Sequence, residues 1–357
     1  MTQTARGQWT SNTDPDTVVR TLAGAKRVVV VTHSKPDGDA AGSALGLVRA
    51  LRLRNVDAEA WFVSPLPGWL PSIVRGTPVR IFAPGQPMRP ADGSAFDPSP
   101  EPDVIAVLDT GSWSQLAELR PWLEPRADRA VLIDHHLHGD TAAAAMRIID
   151  STAAATTQLV APVVTAILGV GSPARLPVEV AEPLYLGLAT DTGWFRHSSV
   201  TPEAMHLAGD LLAAGVVHSD LYELIEQQGT AARLRLMSRA LGGLRLERSG
   251  AVAIMTLRRA DFAAAGADRS DTTGFIDIPM TIAGVRVSAL VTEEKPENGA
   301  AEKPVTKISL RSKPGSDAVD VNRVAGTLGG GGHARAAGAR VELPVEQAIE
   351  RLLEALP

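Results

Sequence analysis

Cysteine is absent from the 357 residues. That excludes a disulfide framework, a thiolate metal site and a cysteine nucleophile, and it makes the cytoplasm the expected compartment. No apolar run reaches the length that a membrane-spanning helix needs. The opening stretch, MTQTARGQWTSNTD, lacks the apolar core of a secretion signal, and residues 1–13 are expected to form a flexible tail. Long Lys/Arg runs are also missing, and the net charge is −5. Both facts argue against a protein that grips long nucleic acid through many phosphates, whereas a small phosphorylated ligand needs only a few cations. No internal repeat links the two halves.

What is present is 45% hydrophobic residues in a chain long enough for two domains, each with its own core. The stretch Val28 to Ser43, VVVVTHSKPDGDAAGS, organises the rest. Its valine block has the composition of a strand buried on both faces of a parallel sheet. A turn set by Pro36 and Gly38 follows, holding His33, Asp37 and Asp39, and small residues then open a helix toward Leu51. The same plan recurs. DVIAVLDTGS is a strand ending in Asp109, and ADRAVLIDHHLHGD is a strand ending in Asp134, His135 and His136. EPLYLGLATDTGWFRHS is a helix running into Asp191.

Elsewhere, Asp14-Pro15 starts a first helix, with the aspartate as its cap. Val56 to Val63 reads as a strand, and the proline-rich stretch from Pro65 to Pro102 as surface loop around a short strand near Val79 to Phe82. Thr156 to Val170 is helical and almost wholly apolar, suited to the core or to a subunit contact. Helices continue from Pro202 to about Leu241. Beyond that point RLERSGAVAIMTL, VRVSALVTE and VTKISLRS read as a small mixed sheet, with helices near Val319 to Leu328 and from Pro344. The acidic Glu293 to Pro304 reads as a solvated hairpin loop. The fold class is α/β: a parallel-sheet domain, a helical linker and a smaller mixed-sheet α/β domain.

His33, Asp37, Asp39, Asp109, His135 and Asp191 are the candidate metal ligands, with His136 beside them. Each piece alone is ordinary, since an aspartate at a strand end commonly caps a helix and an adjacent histidine pair is commonly surface. Four pieces placed alike are not ordinary. Carboxylates and imidazoles without sulfur suit Mn²⁺, with Mg²⁺ or Co²⁺ as replacements, better than structural zinc. Two such ions about 3.5–4 Å apart need a shared ligand, for which Asp109 is the candidate, and together they activate water for in-line attack at phosphorus.

These motifs, THSKPDGDAAGS, VLDTGS, LIDHH and ATDTGWFRHS, resemble those of the DHH phosphoesterase family. ISLRSK at Ile308 to Lys313, and VNRVAGTLGGGGHARAAG up to Gly338, are similar to its C-terminal DHH-associated domain. The resemblance spans nearly the whole chain. It implies a catalytic domain over residues 14–225, a helical linker over 226–241 and a substrate-binding domain over 242–357, with the active site in the cleft between the domains. It further implies that His33, Asp37 and Asp109 hold one Mn²⁺, that Asp39, Asp109, His135 and Asp191 hold a second, and that His136 faces the scissile phosphate. In the second domain, glycines at Gly330, Gly331 and Gly332 let backbone N–H groups approach an anion, and His333, Arg335 and Arg311 can add charge-assisted bonds. Ser312 and Asn322 complete the substrate-binding set that the resemblance implies.

Length and domain order resemble the nano-RNase group. This implies hydrolysis of dinucleotides and very short RNA to nucleoside 5′-monophosphates. pApA, cyclic di-AMP and 3′-phosphoadenosine 5′-phosphate are candidate substrates, no membrane or long nucleic acid is a partner, and a homodimer is expected. The contrasting reading is a nucleotide sensor that binds without turnover, but no metal ligand is missing. His138 and His197 stand beside motifs as second contacts or surface groups, and His206 and His218 are expected to be exposed. Of six tryptophans, Trp194 is best placed to stack on a base, although core packing is the simpler expectation.

Overall fold

The computed structural model describes residues 8–294 and 304–357, and the chain divides into two compact units, Met1–Gln227 and Gln228–Pro357. Consecutive valines cannot all face one side of a strand, so Val28 to Val31 demand cover on both. They receive it in the first unit. There β1 (Arg27–Val31), β2 (Asp57–Val63), β3 (Val79–Phe82), β4 (Val104–Leu108), β5 (Ala130–Asp134) and β6 (Met146–Ile149) pair in parallel, in the order β3-β2-β1-β4-β5-β6. Val28 and Val30 pack into one core, Val29 and Val31 into the other. The order reverses between β1 and β4, which opens a crevice at the C-terminal ends of those strands.

Helices α1 (Pro15–Gly24), α2 (Gly38–Leu53), α3 (Leu70–Val74), α4 (Arg120–Leu123), α5 (Thr156–Leu168), α6 (Val178–Asp191), α7 (Pro202–Ala213) and α8 (His218–Glu226) complete this unit. α1 is capped by Asp14, whose carboxylate accepts from the Thr17 N–H at 2.8 Å, as the Asp-Pro pair predicts. α2 is buried from Gly38 to Leu51, because it runs between the sheet, α5 and α6. Its small residues permit that. A Cβ on Gly42 would stand 2.2 Å from the Pro183 carbonyl oxygen of α6. α5 spends its apolar residues on the core: Val160, Ala161, Val163, Val164 and Ile167 are buried. Each such valine or isoleucine side chain contributes about 1.5–3 kcal/mol.

β6 was not legible as a strand. It is short, and only half-buried. Its free edge is closed by residues expected to belong to a flexible tail. The Asn12 N–H donates to Arg147 O at 3.0 Å, while the Arg147 N–H donates to Asn12 Oδ1 at 2.7 Å. Ser11 Oγ accepts from the Ile149 N–H at 2.8 Å and donates to Ile149 O at 3.0 Å. The tail expectation therefore fails for Trp9 to Asn12, and residues 1–7 lie outside the described residues.

The second unit contains α9 (Ala231–Gly242), β7 (Arg245–Glu247), β8 (Val252–Leu257), α10 (Arg259–Ala265), β9 (Val287–Glu294), β10 (Val305–Ser312), α11 (Val321–Thr327), β11 (Gly331–His333), β12 (Ala336–Val341) and α12 (Val345–Ala355). Its sheet runs β11-β12-β10-β9-β8-β7, with β8 and β9 parallel and the other pairs antiparallel. The mixed sheet is as expected. The linker is not, because Leu236 and Ala240 of α9 are buried with Met255, Leu257 and Phe275, in one of this unit's two cores. Of the acidic stretch Glu293 to Pro304, residues 295–303 lie outside the described residues. Glu294 is not solvated, being 3% exposed and paired with Arg269 and Arg340 at the end of β9.

Candidate metal centre

Each site side chain of the first unit leaves the end of a regular element. His33, Asp37 and Asp39 follow β1, Asp109 follows β4, His135 and His136 follow β5, and Asp191 ends α6. The elements bring all seven together. Asp109 stands in the middle, 2% exposed and left-handed at φ 61°. Its Oδ2 lies 3.5 Å from His33 Nε2, and its Oδ1 lies 3.6 Å from His135 Nε2. Asp37 Oδ1 is 3.7 Å from His33 Nε2. Asp191 Oδ2 and Asp39 Oδ2 are 3.7 and 4.0 Å from His135 Nε2. His33, Asp37 and Asp109 form one group able to hold a cation, and Asp39, His135 and Asp191 form another. Within each group the ligand atoms lie within 4.8 Å of one another.

Both flanking imidazoles are oriented by backbone. His33 Nδ1 lies 2.9 Å from Ser34 O, and His135 Nδ1 lies 3.2 Å from Ala153 O. A carbonyl can only accept, so each Nδ1 carries a proton and Nε2 is the atom turned to the carboxylates, the arrangement usual for metal-binding histidines. His136 is held differently. Its Nδ1 donates to Asp134 Oδ1 at 2.7 Å, which leaves Nε2 as its open nitrogen.

The helix-cap and ligand explanations of these aspartates turn out to be compatible. Asp37 caps its own helix, α2, accepting from the Asp39 and Ala40 N–H groups at 3.1 Å. Asp39 caps a different one. It accepts from the Thr156 and Thr157 N–H groups, at 2.5 and 2.9 Å, at the start of α5. Thr156 Oγ1 also donates to Asp109 Oδ1 at 2.9 Å. Sequence reasoning missed Asp134, Thr156 and Thr157 as supports. The spacing of Asp134 two residues before His136 was the available signal, whereas nothing local marks the threonines.

The electrostatics are those of a cluster short of positive charge. Burial, together with the charges of Asp109 and Asp191, pushes Asp39 well above the usual carboxylate range. Asp191 is raised by burial and by Asp109 and Asp37, against the opposing pull of His135. Burial works to lower His33, but its hydrogen bonds to Asp109 and Asp37 prevail and push it up to about 10. Hydrogen bonding to Asp134 raises His136 above the ordinary imidazole value. Imidazoles are the partners of these carboxylates in every ion pair of the cluster. A donor set of oxygen and nitrogen, buried and acidic, fits hard divalent cations.

The second unit treats its expected ligand-binding residues unevenly. Gly331 to His333 is a strand and not an open loop, because Gly331 and His333 pair with Gly338 and Ala336. A Cβ on Gly330 would meet Gly338 O at 2.1 Å, so that glycine serves close packing on β12. The Gly332 N–H donates to Asn322 Oδ1 at 2.8 Å. Asn322 and the buried Ser312, whose hydroxyl donates to Ala334 O at 3.4 Å, support this ribbon from within. Arg335 Nη1 donates to Lys313 O at 2.6 Å, Arg311 lies 3.6 Å from Asp277, and His333 is exposed.

His138 and His206 are exposed. His197 is exposed too, with Nδ1 3.3 Å from the Asp191 carbonyl. His218 is exposed but bonds Tyr185 OH at 2.8 Å. Trp194 is half-buried, edge-on to His218 and Tyr222, and its Nε1–H donates to Glu226 at 2.8 Å.

A parallel sheet that gathers Asp-x-Asp, Asp and Asp-His-His motifs at its C-terminal edge is the architecture of the DHH phosphoesterases, and the chain belongs to that family. The family model "DHH family, N-terminal domain" matches residues 27–188, and "DHHA1 domain" matches residues 250–357. The chain is 31% identical to the bifunctional oligoribonuclease and PAP phosphatase NrnA of Thermus thermophilus, over 92% of this chain and 89% of that protein. It is 22% identical to the protein of the same name from Bacillus subtilis, over 91% and 92%. Among solved structures, an exopolyphosphatase-related protein from Bacteroides fragilis superposes with a TM-score of 0.75 at 26% identity, covering 96% of this chain and 94% of that one.

Proposed function

We propose that the protein is a Mn²⁺-dependent phosphodiesterase that cuts dinucleotides and very short oligoribonucleotides to nucleoside 5′-monophosphates. 3′-Phosphoadenosine 5′-phosphate and cyclic di-AMP are further substrates in this reading. The names of the relatives that match over about nine-tenths of each chain support the substrate class. The observation that carries the reaction type is Asp109, whose two oxygens face two different imidazoles, each with further carboxylates beside it. His33, Asp37 and Asp109 would hold one cation, and Asp39, Asp109, His135 and Asp191 a second. Bound there, the ions supply Lewis acidity, making water nucleophilic at neutral pH and stabilising charge at phosphorus. Mg²⁺ or Co²⁺ would replace Mn²⁺.

The protein's own groups orient and protonate. Asp134 keeps the proton of His136 Nδ1 in place and favours the imidazolium, so Nε2–H can donate to a phosphoryl oxygen. Thr156 holds the Asp109 carboxylate, and the N-terminus of α5 holds Asp39. In the second unit His333, Arg335 and Arg311, with the Gly330 to Gly332 backbone, would bind the part of the nucleotide that is not cut. Ser312 and Asn322 keep that ribbon in shape. The reading also places the protein in the cytoplasm as a homodimer.

The test is a product time course with Mn²⁺ and equal amounts of pApA, cyclic di-AMP and 3′-phosphoadenosine 5′-phosphate, alongside an EDTA control. Rapid AMP from pApA is the expected outcome, with slower loss of the other two. Prompt loss of cyclic di-AMP would make it a second-messenger phosphodiesterase. Absence of EDTA-sensitive turnover on all three, with binding retained, would leave a sensor.

A further inference from the structure

Two loops converge beside the candidate centre. One leaves β4 through Asp109 and Gly111, and the other leaves β5 through His136 and Gly139. They are tied directly: the Asp140 N–H donates to Gly111 O at 2.8 Å, and the Asp140 carboxylate accepts from the Trp113 N–H at 3.1 Å. Trp9, a residue far away in sequence, lies across this joint. Its Nε1–H donates to His136 O at 3.0 Å. A Cβ on Gly111 would fall 1.9 Å from the indole, and one on Gly139 would fall 2.4 Å from it. Neither glycine has a left-handed backbone, so what glycine provides at these positions is room. Both loops are shaped to seat one ring, and Ser11 and Asn12 anchor the segment that carries it.

We propose that Trp9 is a positioning residue of this site. Its indole, seated on Gly111 and Gly139, fixes the His136 carbonyl and with it the register of the loops that carry Asp109 and His136. It acts through those loops and not on the substrate. Catalytic groups tolerate little misplacement, since about 1 Å can cost roughly a hundredfold in rate. The kinetic side of the proposal rests on the phosphodiesterase reading, so a second readout independent of turnover accompanies it.

Trp9→Ala is expected to lower kcat about tenfold while changing KM less than about twofold, with Trp9→Phe between it and the parent, because the ring stays and the N–H goes. Gly139→Ala should expel the indole and reproduce the loss. Combined with Trp9→Ala it should do no further harm, because the collision partner is gone. Unchanged kcat in Trp9→Ala overturns the proposal, as does a Gly139→Ala loss that persists undiminished in the Trp9→Ala background. If Trp9→Ala does not fold, the same comparison is made in Trp9→Val, which lacks the ring. The independent readout is the indole N–H resonance of Trp9, identified by its disappearance in Trp9→Phe. It is expected to shift as Mg²⁺ is titrated into the full chain, and a resonance unmoved at saturation overturns the proposal. A shifting resonance in a protein inactive on all three nucleotides supports the positioning role and defeats the phosphodiesterase reading.

Discussion

Asp109 meets two demands at once: a left-handed backbone at φ 61° and a carboxylate turned toward imidazoles on both sides. Aspartate and asparagine tolerate that backbone better than other residues with a Cβ, so substitution can separate the demands. Asp109→Asn should fold normally and lose at least about a hundredfold in turnover, because the shape remains and the charge does not. Asp109→Ala should lose activity and also about 1–2 kcal/mol of stability, since alanine is strained there. Thermal melting beside the pApA assay checks both, and an Asp109→Ala protein with full activity would remove Asp109 from the centre.

His33 gives a prediction of opposite character. Its pKa is raised from 6.5 to about 10, so in the metal-free protein its stabilising contribution is fully present below about pH 6.5 and is lost as pH rises toward 10. A cation held at Nε2 would displace that proton. Mn²⁺ affinity should therefore rise between about pH 6 and pH 8, with proton release on binding. Titration calorimetry in buffers of different ionisation enthalpy measures both, and a flat affinity would show that His33 is not a ligand.

At the scale of elements, the strands that carry the site were legible, as were β2, β3 and most of the second unit's strands. β1, β4 and β5 are short runs rich in Val, Ile, Leu and Ala that lead into His or Asp, and a strand buried on both faces in a parallel sheet has that composition. β6, half-buried, and β11, of glycine and histidine, lack this signal, because each ends its sheet, β6 beside β5 and β11 beside β12. Trp9 was hidden for a different reason: one aromatic in a polar stretch has no periodicity, and its seat is two glycines more than a hundred positions away. The β11 ribbon carries its own prediction. His333→Ala should raise KM for pApA by about tenfold and leave Mn²⁺ affinity unchanged, since the candidate cation ligands belong to the other unit. Asn322→Ala, which releases the Gly332 N–H, should raise KM as well by loosening the ribbon. Steady-state kinetics and a metal titration on the same preparations separate the effects.

The molecule as a whole is two units, each with its own sheet and cores. The change from helix-rich to strand-rich composition near residue 241 revealed this from the sequence, while the place of α9 could only come from its buried Leu236 and Ala240. Asp191 follows the segment matched by the DHH family model, so the centre draws on chain beyond that segment.

The closed edge of β6 matters for how the protein behaves in company. Backbone groups along a free strand edge are ready templates for another chain, and here the Ser11 hydroxyl and the Asn12 side chain and backbone N–H occupy them. A protein shortened to begin at Asp14 would keep every candidate ligand and still lose its guard against sticking to its neighbours. Its expected signature is a concentration-dependent rise in light scattering that the full chain does not show. Adding back a peptide of residues 8–13 should suppress that rise, and scattering equal to that of the full chain would mean the edge needs no guard. The same few residues would then have one duty toward chemistry and another toward colloidal stability, so that purifications which trim them would lose activity and solubility together.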